Sequence, residues 1–502
     1  MILNDLRWQK KFSELETQDF ESQGVWAEKD PIVYGIASDT KYIQPGYIFF
    51  AINGFSRHGA EFAMHAIERG AIVIVTDVQG AKILQKERIK SAIAIVSNPR
   101  KRLAEYAVRW NGLQPENQIA VTGTNGKTSV CHFVRQIWEL LGYRAASIGT
   151  LGVQGEVNQE LINTTPDPLV MHDILRKLTQ SNIEYVSMEA SSHGLDQYRL
   201  DGVVLAAAAF TNLSRDHFDY HTDEDEYLAT KCILFDRVLS VGKIAVLNFD
   251  DPHSHMVKLV CENRGHKVVT VGRHMLADLK VSDHRYDLDG QTLKLSYLGN
   301  EHVVTLSLVG NFQVTNVLIA AALVISLGAP LRQVFELLPS LKAVPGRMEL
   351  VGTKKFKGRV YVDYAHTPEA LMIALKSLTP HKMGKLFLVF GAGGDRDPGK
   401  RPLMGKVAEK YADNVFVTDD NPRHEEPEKI RSDILKECPS ATEIPDRAEA
   451  ILTAVNLVKA GDILLIAGKG HETGQIIGDD ILPFSDKECV SMALALLEGK
   501  KA

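Results

Sequence analysis

Short apolar runs rich in β-branched residues alternate along this chain with longer stretches of helical periodicity, the pattern of parallel α/β units. In the first part, "YIFFAI", "AIVIVTD" and "AIAIVS" predict strands, and "HAIERG" closes a helix between the first two. A second group, "QIAVTG", "AASIGT", "YVSMEA", "AAAAFTN" and "KIAVLNFD", predicts another set of strands. A third holds "RVYVDYAHTPEA", "LFLVFGAGGDRD", "NVFVTDDNPRHE" and "DILLIAGKGHE". Two breaks interrupt the alternation: "WNGLQPENQ", a linker of Gly, Pro and amides, and the Pro345-Gly346 pair. The expected division is three domains, 1–112, 113–343 and 344–502, and 502 residues suit roughly three units of about 150.

Each strand of the third group runs into a polar, charged or glycine-rich loop. Ligands of open α/β sheets bind beyond the carboxyl ends of the strands, so four such loops predict one crevice. Those loops carry Arg396, Arg423, Lys469, His471 and Glu472.

The segment "IAVTGTNGKTSVCHFVRQIWELLG" reads as a strand, a glycine-rich turn and an amphipathic helix. Gly123, Thr124, Asn125, Gly126, Lys127, Thr128 and Ser129 fit the end of a phosphate loop. Backbone N–H groups at the helix start would cradle phosphates, Lys127 would reach the outer ones and Thr128 would face Mg²⁺. The usual first glycine position falls on Val121, with Gly123 two residues further in. ATP or GTP is the expected ligand. Behind two other strands lie Glu189 and the cluster Asp216, His217, Asp219 and His221. Mg²⁺ prefers oxygen ligands and keeps several waters, so a carboxylate and a histidine beside the loop threonine form an acceptable set. Lys231, in "DEDEYLATKCILF", reads from its own helix as an ordinary lysine partly covering an apolar face.

Composition narrows the class. Hydrophobic residues make up 45% and charged residues 24%, as in soluble globular proteins. With a net charge of −6 and no Lys/Arg stripe, nucleic acid is not an expected partner. Five scattered cysteines without a CxxC pair fit a reducing cytosol better than a disulfide framework or a zinc knuckle. "MILNDLRWQKKF" lacks the apolar core of a signal peptide, and "VVLAAAAF" is far too short to span a bilayer. A cytoplasmic monomer without membrane insertion is expected.

The motifs "TGTNGKTS", "EASSHGL", "NLSRDHFDYH", "YLATKCILF", "GNFQVTN", "PGRME", "VDYAHTPEA", "GGDRDPGKRPLMG", "DNPRHEEP" and "GKGHE" follow one another over nearly the whole chain. In type and order they resemble the Mur ligases, and among them the tripeptide-forming members. "IASDTKYIQPGYIFFAI" also looks like that family's uridine-nucleotide domain. The resemblance implies an α/β fold of three domains: an N-terminal UDP-sugar domain, a central P-loop ATPase-like domain and a C-terminal Rossmann-like domain for the incoming amino acid. It implies ATP-driven amide formation in peptidoglycan precursor synthesis, through an acyl phosphate from which an amine displaces phosphate.

The resemblance also distributes roles. Lys127 and Mg²⁺ would meet the phosphate charge, with Thr128, Glu189 and His217 contributing to the metal site. Lys231 matches the lysine that carries a carbamate (N6-carboxylysine) in this family, which replaces the ordinary reading of its helix. Ile36 and Ser38 match the uridine segment, with Lys41 standing where an arginine is usual. Asn163, Thr164, Thr165, Ser191, Gln197 and Arg199 match contacts to the UDP-muramoyl dipeptide. Asn316, Arg347 and Asp363 match the ATP side, while Gln313 replaces the usual asparagine and receives no role.

In this family the DNPR turn recognises the third amino acid, and Arg423 is the mark of members that add meso-diaminopimelate. A guanidinium binds the distal carboxylate of that substrate bidentately and repels the side-chain ammonium of lysine. Arg396, Asp420, Asn421, Pro422, Gly468 and Glu472 would complete the pocket. The competing reading of Arg423 is an ion pair with Glu425 or Glu426. The competing functions are a lysine-adding ligase, a folate polyglutamylating ligase and a nucleotide-driven switch.

Overall fold

The computed structural model describes residues 9–15, 31–54, 56–87, 89, 92–214, 220–288, 290–353 and 358–497. The chain divides into two compact units. One comprises Met1–Lys127, Gly142–Leu247 and Asp251–Val268, the other Thr128–Leu141, Asn248–Asp250 and Val269–Ala502.

The first unit opens with a four-stranded parallel sheet of β1 (Gly35–Ala37), β2 (Tyr47–Phe50), β3 (Ala71–Thr76) and β4 (Ala92–Ile95), in that order. It continues with β5 (Asn117–Thr122), β6 (Ala145–Gly149), β7 (Gly152–Gly155), β8 (Tyr185–Glu189), β9 (Ala207–Phe210) and β10 (Ile244–Asn248). Their spatial order is β10-β9-β5-β8-β6-β7, with only the β6–β7 pair antiparallel among them. These strands read as continuous apolar runs because helices cover both faces of a parallel sheet. One core of this unit packs Met171, Leu175 and Leu178 of the helix Pro168–Gln180 with Val186, Met188 and Phe210 of the strands.

β11 (Lys267–Gly272), which enters the second unit at Val269, pairs in parallel with β12 (Leu279–Asp287), which continues into antiparallel β13 (Gly290–Tyr297) and β14 (Asn300–Leu306). The C-terminal sheet contains β15 (Glu349–Thr353), β16 (Arg359–Asp363), β17 (Leu386–Phe390), β18 (Asn414–Val417), β19 (Thr442–Glu443) and β20 (Ile463–Ala467). Its order is β15-β16-β20-β17-β18-β19, parallel except for β15. A hairpin of β21 (Gly474–Ile477) and β22 (Asp480–Pro483) follows. All five cysteines are free, four of them buried. Among the described residues no helix is long and apolar enough to cross a membrane.

Within the second unit a salt bridge lies fully in the core. Arg447 grips Asp486 bidentately at 2.7 and 2.8 Å and also donates to Ala467 O at the end of β20. Truncating one partner strands the other charge, so Arg447→Ala is expected to lower stability by about 3–5 kcal/mol. Urea unfolding followed by circular dichroism checks this.

Candidate active site

Register sets the phosphate loop in place. Glu189 lies opposite Val121, and Phe210 opposite Thr122, so the turns after β5, β8 and β9 leave the sheet side by side. Gly123 and Gly126 take φ of +143° and +88°. A Cβ on Gly123 would meet Thr211 Oγ1 at 1.9 Å, so only glycine allows this approach. The segment after β9 clamps the loop from behind. Thr124 N donates to Asn212 O (2.8 Å), Asn125 N to Asn212 Oδ1 (3.0 Å), and Thr211 Oγ1 to Asn125 O (2.6 Å). The loop is thus fixed before any ligand arrives.

Two ammonium groups converge on it. Lys127 Nζ donates to Gly123 O and Thr124 O at 2.8 and 2.7 Å. Lys231 Nζ donates to the same Gly123 O at 2.9 Å and lies 4.1 Å from the centre of the Tyr227 ring. Lys231 is 1% exposed, so it is not the surface lysine that its helix alone suggests. Thr128 and Ser129 occupy the first turn of the helix Lys127–Leu140.

The Glu189 carboxylate is buried and accepts from Thr150 N at 2.8 Å and Thr150 Oγ1 at 3.3 Å, and Thr150 Oγ1 reaches Thr164 Oγ1 at 3.1 Å. A Cβ on Gly149 would sit 2.0 Å from Glu189 Oε1. Glycine therefore keeps open the space that the carboxylate fills. Gly149→Ala is expected to cost about 1–3 kcal/mol through overpacking and to reduce turnover by displacing Glu189; thermal melts and ATPase assays check both.

Asp216, His217 and Asp219 lie outside the described residues. Among the described residues no group of three or more His, Cys, Asp or Glu side chains forms a metal cage. The Glu189 carboxylate beside the Thr150 and Thr164 hydroxyls offers the oxygen donors that a hard, largely water-held cation takes.

A cleft of about 230 Å³ in the first unit brings together Ser38, Gln197 and Arg199, distant in sequence, and adds Asn53, Gly54 and Arg100. Arg199 donates to Thr165 O at 2.8 Å and Gln197 Oε1 at 2.9 Å. Thr165 is buried, donating to Glu189 O and accepting from Ser191 N. Ser191 Oγ caps the short helix Ser192–Asp196. These two hydroxyls are therefore engaged in bonds that fix the backbone beside the cleft. Ile36 lies on β1, partly buried against the core, and Asn163 is exposed. Lys41 pairs with Asp39 at 3.1 Å.

In the second unit Asp363, at the end of β16, is buried and accepts from Met348 N (2.6 Å) and Ala365 N (2.8 Å). Burial raises its pKa, against the pull of Arg347. The Arg347 guanidinium stacks 4.3 Å from the Tyr364 ring centre. Gln313 has a role that its sequence context did not reveal. It accepts from Asn316 Nδ2 at 3.2 Å and donates to Arg347 O at 3.3 Å, joining two residues matched to the ATP side.

Burial, and secondly Arg347, hold the pKa of His471 down to about 4 from its ordinary 6.5. The unfolded chain takes up this proton near pH 6.5 and the folded chain only near pH 4. Stability therefore falls as pH drops across that window, and this histidine adds no further loss below it. His471→Asn is expected to remove up to about 3 kcal/mol of that pH dependence, read from urea midpoints at pH 4 and 7.

The four loops that the sequence singles out leave the carboxyl ends of β16, β17, β18 and β20. Asn421 and Arg423 have φ of 42° and 51°. Arg423 N donates to Ile476 O at 3.1 Å and Gly478 N to Arg423 O at 2.8 Å, so the turn is pinned to the β21–β22 hairpin. The Arg423 guanidinium donates to Gly394 O at 2.9 Å and Asn421 O at 3.4 Å. It does not take Glu425, which pairs with buried Arg401 at 2.8 and 2.9 Å. A Cβ on Gly393 would lie 2.8 Å from Arg423 Nη1 and 3.7 Å from Arg396 Cγ, so the missing side chain leaves room for the Arg423 guanidinium and the Arg396 stem.

Beside this cationic end sits an acidic one. Fully buried Lys469 donates to Asn421 Oδ1 (2.8 Å) and Gln475 Oε1 (2.9 Å), and lies 3.6 Å from Asp420 and 3.5 Å from Glu472. Asn421 Nδ2 donates to Glu472 Oε2 at 2.8 Å. Gly468 (φ +117°) leaves room for Asp420, whose Oδ2 a Cβ there would meet at 2.3 Å. Pro422 is buried in the turn. Gln475 and the hairpin contacts had no signal in the sequence, because they arise only when the chain returns after β20.

Sequence models of three Mur ligase domains match this chain: the Mur ligase family catalytic domain at residues 32–111, the middle domain at 121–324 and the glutamate ligase domain at 346–470. The chain belongs to the Mur ligase family. It has the three-domain α/β architecture of the Mur ligases. A Mesorhizobium japonicum relative, named UDP-N-acetylmuramoyl-L-alanyl-D-glutamate–2,6-diaminopimelate ligase, is 48% identical over 471 residues, covering 93% of this chain and 96% of its own. A Caulobacter vibrioides Mur ligase of the same name is 42% identical over 500 residues, covering 98% and 100%. A solved structure bearing that name aligns with a TM-score of 0.72 at 33% identity over 98% of this chain and 99% of its own. A Mycobacterium tuberculosis folylpolyglutamate synthase solved with ADP shares the fold, with a TM-score of 0.63 at 18% identity over 84% of this chain and 98% of its own.

Proposed function

We propose that this Mur ligase adds meso-diaminopimelate to UDP-N-acetylmuramoyl-L-alanyl-D-glutamate at the expense of ATP, as a cytoplasmic monomer, with domains bounded near residues 112 and 343. The observation that carries the choice of amino acid is the Arg423 guanidinium beside Gly393, with the Arg396 stem near the same glycine, next to the Asp420–Glu472 group. Diaminopimelate is zwitterionic at both ends, and a site with a cationic and an acidic side matches its distal carboxylate and ammonium. Near-complete alignment with relatives of that name supports the same choice.

The D-glutamyl side-chain carboxylate attacks the γ-phosphorus of ATP, ADP leaves, and an acyl phosphate forms. The free amine of diaminopimelate attacks the acyl carbon, and phosphate departs as the amide bond closes. The phosphate-loop N–H groups and Lys127 hold the charge that develops on the phosphates. Mg²⁺, when bound, neutralises phosphate oxygens, and Glu189, Thr128, His217 and a carbamate on Lys231 are the groups proposed to hold it. The carbamate forms when the neutral lysine amine adds CO₂ and releases a proton. Asn316, Arg347 and Asp363 are assigned to the nucleotide. Ile36, Ser38, Asn163, Thr164, Thr165, Ser191, Gln197 and Arg199 are assigned to the UDP-muramoyl dipeptide.

The test is phosphate release from ATP with each substrate omitted in turn. Release that requires the UDP-muramoyl dipeptide and diaminopimelate together is expected. Release with a folate and glutamate, or release indifferent to both, would overturn the proposal.

A further inference from the structure

We propose that Arg100 grips the diphosphate of the UDP-sugar, a role that deepens the substrate reading of the first-unit cleft and rests on it. Arg100 is the second residue of the helix Pro99–Asn111 and lines the cleft with Ser38, Asn53 and Arg199. Among the described residues, Asn53 O accepts from its Nη2 at 2.8 Å. A guanidinium carries five N–H donors, so several remain for a ligand.

The charges in the cleft show why a second cation is needed. Arg199 is committed to Thr165 O and Gln197 Oε1. Asp167, also in the cleft wall, caps the helix Pro168–Gln180 by accepting from Leu169 N and Val170 N at 3.0 and 3.3 Å. Asp167 and Arg199 offset each other, which leaves Arg100 as the charge that makes the wall positive. A nucleoside diphosphate sugar brings two phosphate charges into this space. The planar fork of an arginine suits two phosphate oxygens at once, which a lysine point charge does not. The Asn53 carbonyl orients that fork from below, so the side chain is held before the ligand enters.

The experiment compares wild type, Arg100→Ala and Arg100→Lys as full-length proteins. Affinities for UDP and for uridine are measured by titration, and KM is measured for the UDP-muramoyl dipeptide, ATP and diaminopimelate. Arg100→Ala is expected to weaken UDP binding about 10- to 100-fold, the loss of one or two hydrogen bonds to a charged group, with uridine affinity unchanged. KM for the UDP-muramoyl dipeptide should rise in parallel while kcat and the other two KM values hold, and Arg100→Lys should fall between. A wild type that does not bind UDP would overturn the substrate reading and this role together. A wild type that binds UDP, with Arg100→Ala binding it equally or losing UDP and uridine alike, would overturn the arginine's role alone.

Discussion

Arg423→Ala is expected to raise KM for meso-diaminopimelate by roughly 30- to 1,000-fold, the cost of about 2–4 kcal/mol for losing one side of a charged, hydrogen-bonded contact. KM for ATP and for the UDP-muramoyl dipeptide should change less than about twofold, since the guanidinium bonds to Gly394 O and Asn421 O within its own loop cluster, and sites that share no partners act nearly independently. The backbone of the turn gives the substitution its specificity. Arg423 N and O are both held by the β21–β22 hairpin, so removing the side chain leaves the turn in place. Its two guanidinium bonds are to backbone carbonyls, which solvent can satisfy. Arg423→Lys should not restore affinity, because an ammonium cannot present the bidentate fork. Equal increases in all three KM values would show a structural arginine.

The second large effect concerns Lys231. Lys231→Ala is expected to reduce kcat by about 10²- to 10³-fold, the loss typical of removing one preorganised charge from a transition state. Formate or acetate at tens of millimolar, ~10–50 mM, should restore part of it by occupying the position of the carbamate. The buried ammonium now bonded to Gly123 O also offers a purely structural role, holding the phosphate loop. That role predicts a loss that no carboxylate rescues and that Lys231→Arg, which keeps a cationic N–H donor, partly repairs.

How much of this was legible beforehand divides by kind of contact. The strands β2 to β6, β8 to β10, β16 to β18 and β20 were readable because buried parallel strands are written as continuous apolar runs ending in polar loops, whereas β1, three residues long, was not. The β12–β14 meander was not read. Its first strand, "LKVSDHRYD", alternates only briefly and then carries exposed polar residues, so no period stands out. Glu425 looked like a partner for Arg423 because it lies two residues away. Positive φ at Asn421 and Arg423 instead accompanies a turn that offers the guanidinium to Gly394, and Arg401, from a helix in another part of the sequence, takes the glutamate. Gln313, Lys469 and Arg100 share this feature. Each has a role fixed by partners 34, 48 and 47 positions away, which no local pattern encodes. Lys231 shows the same limit, since its helix is ordinary and only burial against Gly123 and Tyr227 sets it apart.

The most direct test is a competition. The protein is given ATP, the UDP-muramoyl dipeptide and equal concentrations of meso-diaminopimelate and L-lysine, and the tripeptide products are resolved by mass. A product almost wholly of diaminopimelate, with that preference lost in Arg423→Ala, is the expected result. A predominantly lysine product, or a preference unchanged in the variant, would contradict the assignment of Arg423 as the residue that selects the amino acid.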